Sequence, residues 1–427
     1  MEVSIPLVVL SIFSGYFLGI ITGMVPGFHV NNIAVILLAI TPLLAQYNIL
    51  PLYIVIIILS NSITHTFIDI IPAVLIGVPE SDTALAVLPG HTLTIEGRGI
   101  EAIRLSALGS AGAIITSLLL VLPMIWIFKN YYILLQEYMA WLLIALILMM
   151  VLTEKGEQMR GEGSLVHLKY KAYAAIVFLL SGLLGLFAFE KEALMNSIIP
   201  TVSETVFLPL LSGLFGASVL IISMLSETVL PPQQDTKYNL PAANLLRGIF
   251  FGSTAGSLVA WFPGVSSAVA TIIARIALPK NNEHSHNEFI VSLSGANTSN
   301  ALFSLIALYV IGKSRSGAVS AINQIIQLNL GLMVLLFVVI AVTALLSYPT
   351  TIFIGKQAVK LFEKINYTRL STVILSGLLL IVIMFTGMFG LVIFAIAIPI
   401  GMLPHYLNVR KSHLMGCILL PVTLYFL

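Results

Sequence analysis

Long apolar runs follow one another along the whole chain, and few charges interrupt them. The runs are continuous rather than alternating, which excludes a membrane β-barrel, whose strands alternate between lipid and lumen. Of 427 residues, 59% are hydrophobic and only 9% are Asp, Glu, Lys or Arg. Soluble chains carry roughly 25% charged residues. A water-facing surface cannot be built from this inventory, so an ordinary soluble enzyme, a disordered chain and a disulfide-rich secreted protein are all excluded. The expected fold is an all-α polytopic membrane protein, because a helix satisfies its own backbone hydrogen bonds in lipid. The length accommodates about ten spanning or half-spanning segments. A net charge of +2 argues against a nucleic-acid partner, and the single cysteine, Cys417, excludes an intramolecular disulfide or a cysteine-rich metal centre. The run from Ile5 has no basic flank, so no cleavable signal is expected.

Several runs are too short to cross the hydrocarbon as a helix rising 1.5 Å per residue. Short apolar pieces interrupted by Pro-Gly predict broken helices or re-entrant hairpins. Such backbone is tolerated at membrane depth only inside protein or along a wet cavity. Basic residues concentrate in the connections 154–171, 227–247 and 356–369 and at Arg410 and Lys411. The positive-inside rule puts these four on the cytoplasmic side, with the connection at Lys129 and the acidic stretch 190–204 outside.

The chain repeats itself. GMVPGFHVNNIAVILLAI at 23–40 is matched by AWFPGVSSAVATIIARIA at 260–277. After each, at matching separation, comes a second pair, NSITHTFIDIIPAVLIGVPESDTALAV at 61–87 and NTSNALFSLIALYVIGKSRSGAVSAI at 297–322. The period is far above that of solenoid repeats, and two large membrane repeats are characteristic of secondary transporters. The expected organisation is repeat one over 1–153, a connecting segment with two further spans over 154–246, and repeat two with C-terminal spans over 247–427. Keeping every strongly basic loop on one side fits inverted repeats, meeting at the midplane.

The polar residues inside these runs are the candidate site. Pro lacks an N–H and Gly allows positive φ, so Pro26-Gly27 and Pro263-Gly264 each end one helix and begin another. A new helix start offers free N–H groups and a positive dipole end to an anion. His29, Asn31 and Asn32 follow the first break, and Ser266 and Ser267 the second. The competing reading, a kink lined by small residues, is weakened by recurrence in equivalent positions. The clusters around Asn61 and Thr64, and around Asn297, Ser299 and Asn300, are costly in an apolar run unless hydrogen-bonded. They suit a site that replaces the hydration of a carboxylate or a small ion, or equally serve as interhelical glue. His65 and Asp69 stand four apart, on one helical face. An ionisable residue within the membrane is a functional hypothesis by default, so both are candidate ion-coupling residues; the alternative is a pair that fixes packing. Ser81, Arg315 and Ser316 lie in turns between half-helices, where Arg315 either grips a carboxylate or snorkels to the interface.

No HExxH, GxSxG or Walker A sequence occurs, and no nucleophile–base pair stands out. The chain is not expected to be an enzyme, to hold a metal or to need a cofactor; sodium or protons are the expected coupling ions.

Gly23-Met24-Val25-Pro26-Gly27, Val78-Pro79-Glu80-Ser81 and the stretch from Pro89-Gly90 through Gly97-Arg98-Gly99 to Glu101-Ala102, followed by Ala107-Leu108-Gly109-Ser110, resemble the large membrane subunit of the tripartite tricarboxylate transporters, the TctA family. Phe262-Pro263-Gly264 and Ala296-Asn297 are similar to that family's repeated signature. The resemblance implies an ion-driven secondary carrier for carboxylates, working with a small membrane subunit and an extracytoplasmic binding protein. This chain is shorter than the typical large subunit, and Gly312-Lys313-Ser314-Arg315-Ser316 replaces the usual turn in repeat two. The expected function is ion-coupled transport of a small organic anion, of di- or tricarboxylate type, by alternating access. The alternatives are a transporter or flippase for a lipid phosphate and a non-transporting scaffold or channel. The expected setting is the lipid bilayer of the cell membrane, with association into a homo-oligomer left open.

Overall fold

A computed structural model describes residues 3–25, 30–47, 49–75, 87–154, 164–198, 206–225, 231–235, 238, 240–262, 267–278, 284–314, 316–362 and 367–427. Among these residues the chain is helical, with no strand. The first half contains α1 (Ile5–Met24), α2 (Val30–Gln46), α3 (Pro51–Ile68), α4 (Ile70–Leu75), α5 (Val87–Ile95) and α6 (Gly99–Glu137). Next come α7 (Met139–Leu152), α8 (Ser164–Glu190), α9 (Phe207–Leu211) and α10 (Ser218–Leu225). The second half holds α11 (Ala242–Val259), α12 (Ser267–Ala277), α13 (Ser285–Ile311), α14 (Gly317–Ile325) and α15 (Leu330–Phe362), followed by α16 (Tyr367–Leu407) and α17 (Gly416–Phe426). Among the described residues seven helices are long and apolar enough to cross a membrane, and four shorter apolar helices accompany them. The fold is therefore all-α and polytopic.

Local chemistry accounts for the ends and breaks. Pro51 opens α3, where a missing N–H costs nothing. Ser316 caps α14, its hydroxyl accepting the Val319 N–H at 3.2 Å. Pro72 deprives the Ile68 carbonyl of its helical partner, and the chain bends at Asp69 between α3 and α4. Gly387, at φ 64°, breaks α16 in two. Proline does not break α15: Pro349 sits inside it, and the Thr350 and Thr351 hydroxyls bond back to the Leu346 and Ser347 carbonyls. Nor does the chain turn at Lys129, where the sequence predicts a connection; α6 runs through to Glu137 and the chain turns at Tyr138.

Two compact units result. One comprises α1–α5, α6 up to Lys129, and α11–α15; the other comprises α7–α10, α16 and α17. In the first, helices approach to backbone contact through glycine. A methyl group at Gly15 would stand 2.3 Å from the Ile57 carbonyl oxygen, and one at Gly19 would stand 2.8 Å from that of Asn61. The second half repeats the device: Gly252 and Gly256 would meet the Ser292 and Ala296 carbonyls at 2.2 and 2.3 Å. Small residues four apart let α1 lie parallel on α3, and α11 on α13.

Hydroxyl pairs then stitch the halves together. Ser106 bonds Ser294 at 2.7 Å and Ser117 bonds Ser299 at 3.0 Å, so α6 runs parallel to α13. Thr343 bonds Ser60 at 3.2 Å and Ser347 bonds Thr64 at 3.1 Å, so α15 runs parallel to α3. The long helix of each half is joined to the core helix of the other. Gly99 lies against Leu75 and Ser110 reaches the Thr66 carbonyl, so α6 descends antiparallel to α3. It follows that α3 and α13 are antiparallel.

The second unit is fastened by one buried carboxylate. Glu154 is held by Arg410 Nε at 2.9 Å and by His413 Nε2 at 2.7 Å. Arg410 also donates to the Met150 carbonyl at 2.8 Å, which ties the end of α7 to the turn before α17.

Candidate functional site

The two most enclosed spanning helices of the first unit, α3 and α13, also carry its densest polar sequence. Where they cross, Asn297 Nδ2 donates to Asp69 Oδ2 at 2.8 Å, and Thr298 Oγ1 donates to Thr66 Oγ1 at 3.1 Å. The Ser110 hydroxyl lies 3.4 Å from both the Thr66 and Ser294 carbonyls, so α6 closes the third side. Asp69 is 1% exposed. In hydrocarbon, such a carboxylate persists only among hydrogen-bonding partners.

One helical turn from Asp69, the His65 Nδ1 atom lies 3.0 Å from Thr22 Oγ1. The Thr22 hydroxyl donates to Asn61 Oδ1 at 3.1 Å. Asn61 is fully buried, and its Nδ2 group has no hydrogen-bond partner among the described residues.

The structure thus brings together Asn61, His65 and Thr22 in one cluster, and Asp69, Asn297, Thr66 and Thr298 in the next. Thr64 and Ser299 belong to the interhelical stitches, with Ser347 and Ser117. Asn31 reaches across the halves: its Oδ1 accepts the Ala318 N–H at 2.9 Å, and Gly317 is pressed against its amide. Asn32 falls within α2. Ser267 is buried at the start of α12, with its carbonyl accepting the Thr271 hydroxyl at 3.0 Å. Asn300 is half-buried on α13. Gly27, His29, Ser81, Gly264, Ser266 and Arg315 lie outside the described residues.

Sequence reasoning missed Thr22, Ser110, Thr343 and Ser347. Each is a lone hydroxyl in an apolar helix, a type that commonly bonds its own preceding turn. Only the cross-helix partners, far away in sequence, distinguish them.

One end of this unit is ionic. Arg98 grips Glu101 through two bonds of 2.9 Å, and Asn287 donates to the same carboxylate at 2.9 Å. Arg247 grips Glu288, while Gln233 bonds the Thr94 carbonyl at 2.8 Å and the Gly99 N–H at 2.9 Å. Asp235 pairs with Arg104 and with Lys356. Two connections expected on one side of the membrane, 227–247 and 356–369, are therefore joined to each other and to the segment from Thr94 to Arg104.

The hydrogen bond from Lys356, with the charge of Arg104, holds the Asp235 carboxyl below the usual carboxylate range. A lowered carboxylate pKa stabilises above its unfolded value and is lost as pH falls through the folded one. The strap from Pro231 to Asp235 should therefore stay docked at neutral pH and loosen only in strong acid. Asp235→Asn should speed exchange of the Gln234 amide, which donates to the Gly97 carbonyl at 2.8 Å. The expected gain is roughly twofold to fivefold, because the pair is solvent-screened. An unchanged rate by hydrogen-exchange mass spectrometry would remove the pair's role.

Apolar spanning helices around a buried polar centre make this an integral membrane protein of the polytopic helical class. The sequence profile of the tripartite tricarboxylate transporter TctA family matches residues 9–416, and the chain belongs to that family. It is a family of transporter permeases rather than enzymes, so the role is in transport. Its members normally work with a small membrane subunit and a periplasmic binding protein. An uncharacterized protein of Methanocaldococcus jannaschii is 29% identical over 426 residues, covering 97% of each chain. No solved structure matches the chain.

Proposed function

We propose that this chain is the permease of an ion-coupled secondary carrier for a small organic anion of di- or tricarboxylate type. The observation that carries this is the meeting of two polar half-sites, Asp69 with Asn297 and Thr66 with Thr298, between buried helices from opposite halves. Gly27, His29, Asn31, Asn32, Asn61 and Thr64 supply one half of the anion site; Gly264, Ser266, Ser267, Asn297, Ser299 and Asn300 supply the other. Asp69, with His65 one turn away, couples the anion's passage to sodium or protons.

Inverted repeats and alternating access complete the reading. The antiparallel course of α3 and α13, the matching glycine contacts and the reciprocal stitching of α6 and α15 support it. The setting is the cell membrane, with the ionic end cytoplasmic. A small membrane subunit and an extracytoplasmic binding protein are the expected partners.

The test is uptake of radiolabelled di- and tricarboxylates by vesicles containing the folded protein, under imposed sodium or proton gradients. Uptake that rises with one gradient and collapses with an ionophore is expected. Folded protein that moves none of the panel under either gradient, with candidate partner subunits added, would end the proposal.

A further inference from the structure

Among the described residues of the first unit, Asn61 Nδ2 and Trp261 Nε1 are buried N–H donors with no hydrogen-bond partner. Both residues are fully buried. Water is scarce at membrane depth, so an idle donor there carries an unrelieved desolvation cost. Native proteins leave few such groups, and each calls for an explanation.

Their positions are related. Asn61 is tied through Thr22 to the last turn of α1, and Trp261 stands two residues past the end of α11. In sequence each helix end is followed by a Pro-Gly, at Pro26-Gly27 and at Pro263-Gly264. The Trp261 ring is held still. It stacks on Phe128 with centroids 4.2 Å apart and planes 3° apart, and Phe262 meets the edge of the same phenylalanine at 5.8 Å. A rigid ring fixes the direction of its only polar bond.

We propose that Trp261 is a recognition residue, whose indole N–H, together with the Asn61 amide, donates hydrogen bonds to acceptor oxygens of the transported anion. This rests on reading the chain as an organic-anion carrier and adds to it a residue and a mode of recognition. Neutral donors suit the task. A lysine or arginine would be costly to leave uncompensated in the membrane once the passenger departs, whereas an empty amide or indole costs less than a bare charge. A buried donor also rejects analogues that lack the acceptor, since they would leave it unpaired.

The experiment uses the full chain in lipid nanodiscs. Binding of succinate, malate, citrate and inorganic phosphate is measured by calorimetry on the wild type and on Trp261→Phe, which keeps an aromatic ring against Phe128. A second variant, Trp126→Phe/Trp141→Phe, removes two tryptophans that are 60% and 64% exposed and leaves Trp261 as the sole indole. The expected results are about tenfold weaker anion binding in Trp261→Phe and a saturable change in Trp261 emission at the calorimetric midpoint. A carboxylate that binds the wild type while Trp261→Phe binds equally well and Trp261 emission stays flat would overturn the inference and leave the carrier reading standing. If emission and affinity respond to phosphate alone, the donors serve phosphate and the carboxylate class falls. If nothing in the panel binds folded wild type, both fall together.

Discussion

Asp69→Asn protein is expected to fold and to bind its anion, yet to lose gradient-driven uptake by about 100-fold. Asparagine matches aspartate in size and keeps an oxygen to accept the Asn297 amide, which lies 2.8 Å from the carboxylate. The backbone bond from residue 69 to the His65 carbonyl, 2.9 Å long, does not depend on the side chain. Stability should therefore change little. What disappears is a group able to take a proton or hold a cation inside the bilayer, the usual reason such a group is kept there. Exchange of labelled for unlabelled anion needs no net ion movement and should persist. The measurement is uptake against exchange in the same vesicles. A variant that concentrates its anion as well as the wild type would strip Asp69 of the coupling role.

Gly252→Ala should destabilise by about 3 kcal/mol, at the upper end of overpacking costs. The added methyl would stand 2.2 Å from the Ser292 carbonyl oxygen, and the atoms it meets are all Ser292 backbone, so none can swing aside. Gly377→Ala is the control. It also lies inside a helix, but a methyl there meets nothing within 4 Å. Helix propensity alone should make that variant neutral or up to about 1 kcal/mol more stable. Thermal unfolding midpoints in detergent distinguish the two, and equal midpoints would refute the close approach of α11 to α13.

The helical membrane class was readable because composition leaves no alternative, and the polar clusters were readable because Asn61, Asp69 and Asn297 stand out against apolar neighbours. Pairings were not. The four-residue spacing of His65 and Asp69 draws attention to one face of α3, and the structure adds Thr22 beside His65 and Asn297 beside Asp69. Those partners sit on other helices, and no local periodicity encodes them. Apolar runs also misjudge where helices stop. Lys129 suggests a loop, but one lysine at a helix surface can reach the interface while the helix continues. Gly387, by contrast, breaks α16 through a positive φ that demands glycine. Trp261 carried no polar signal at all; only its idle nitrogen singles it out.

The stitching between halves also sets a timetable for assembly. Asp69 must wait for an amide 228 positions later, and Thr64 for a hydroxyl 283 positions later. At ribosomal speed that delay is roughly 10–60 s. For that interval α3 sits in the bilayer with its polar face unanswered, so the newborn first half needs a chaperone or the insertion machinery to shelter it.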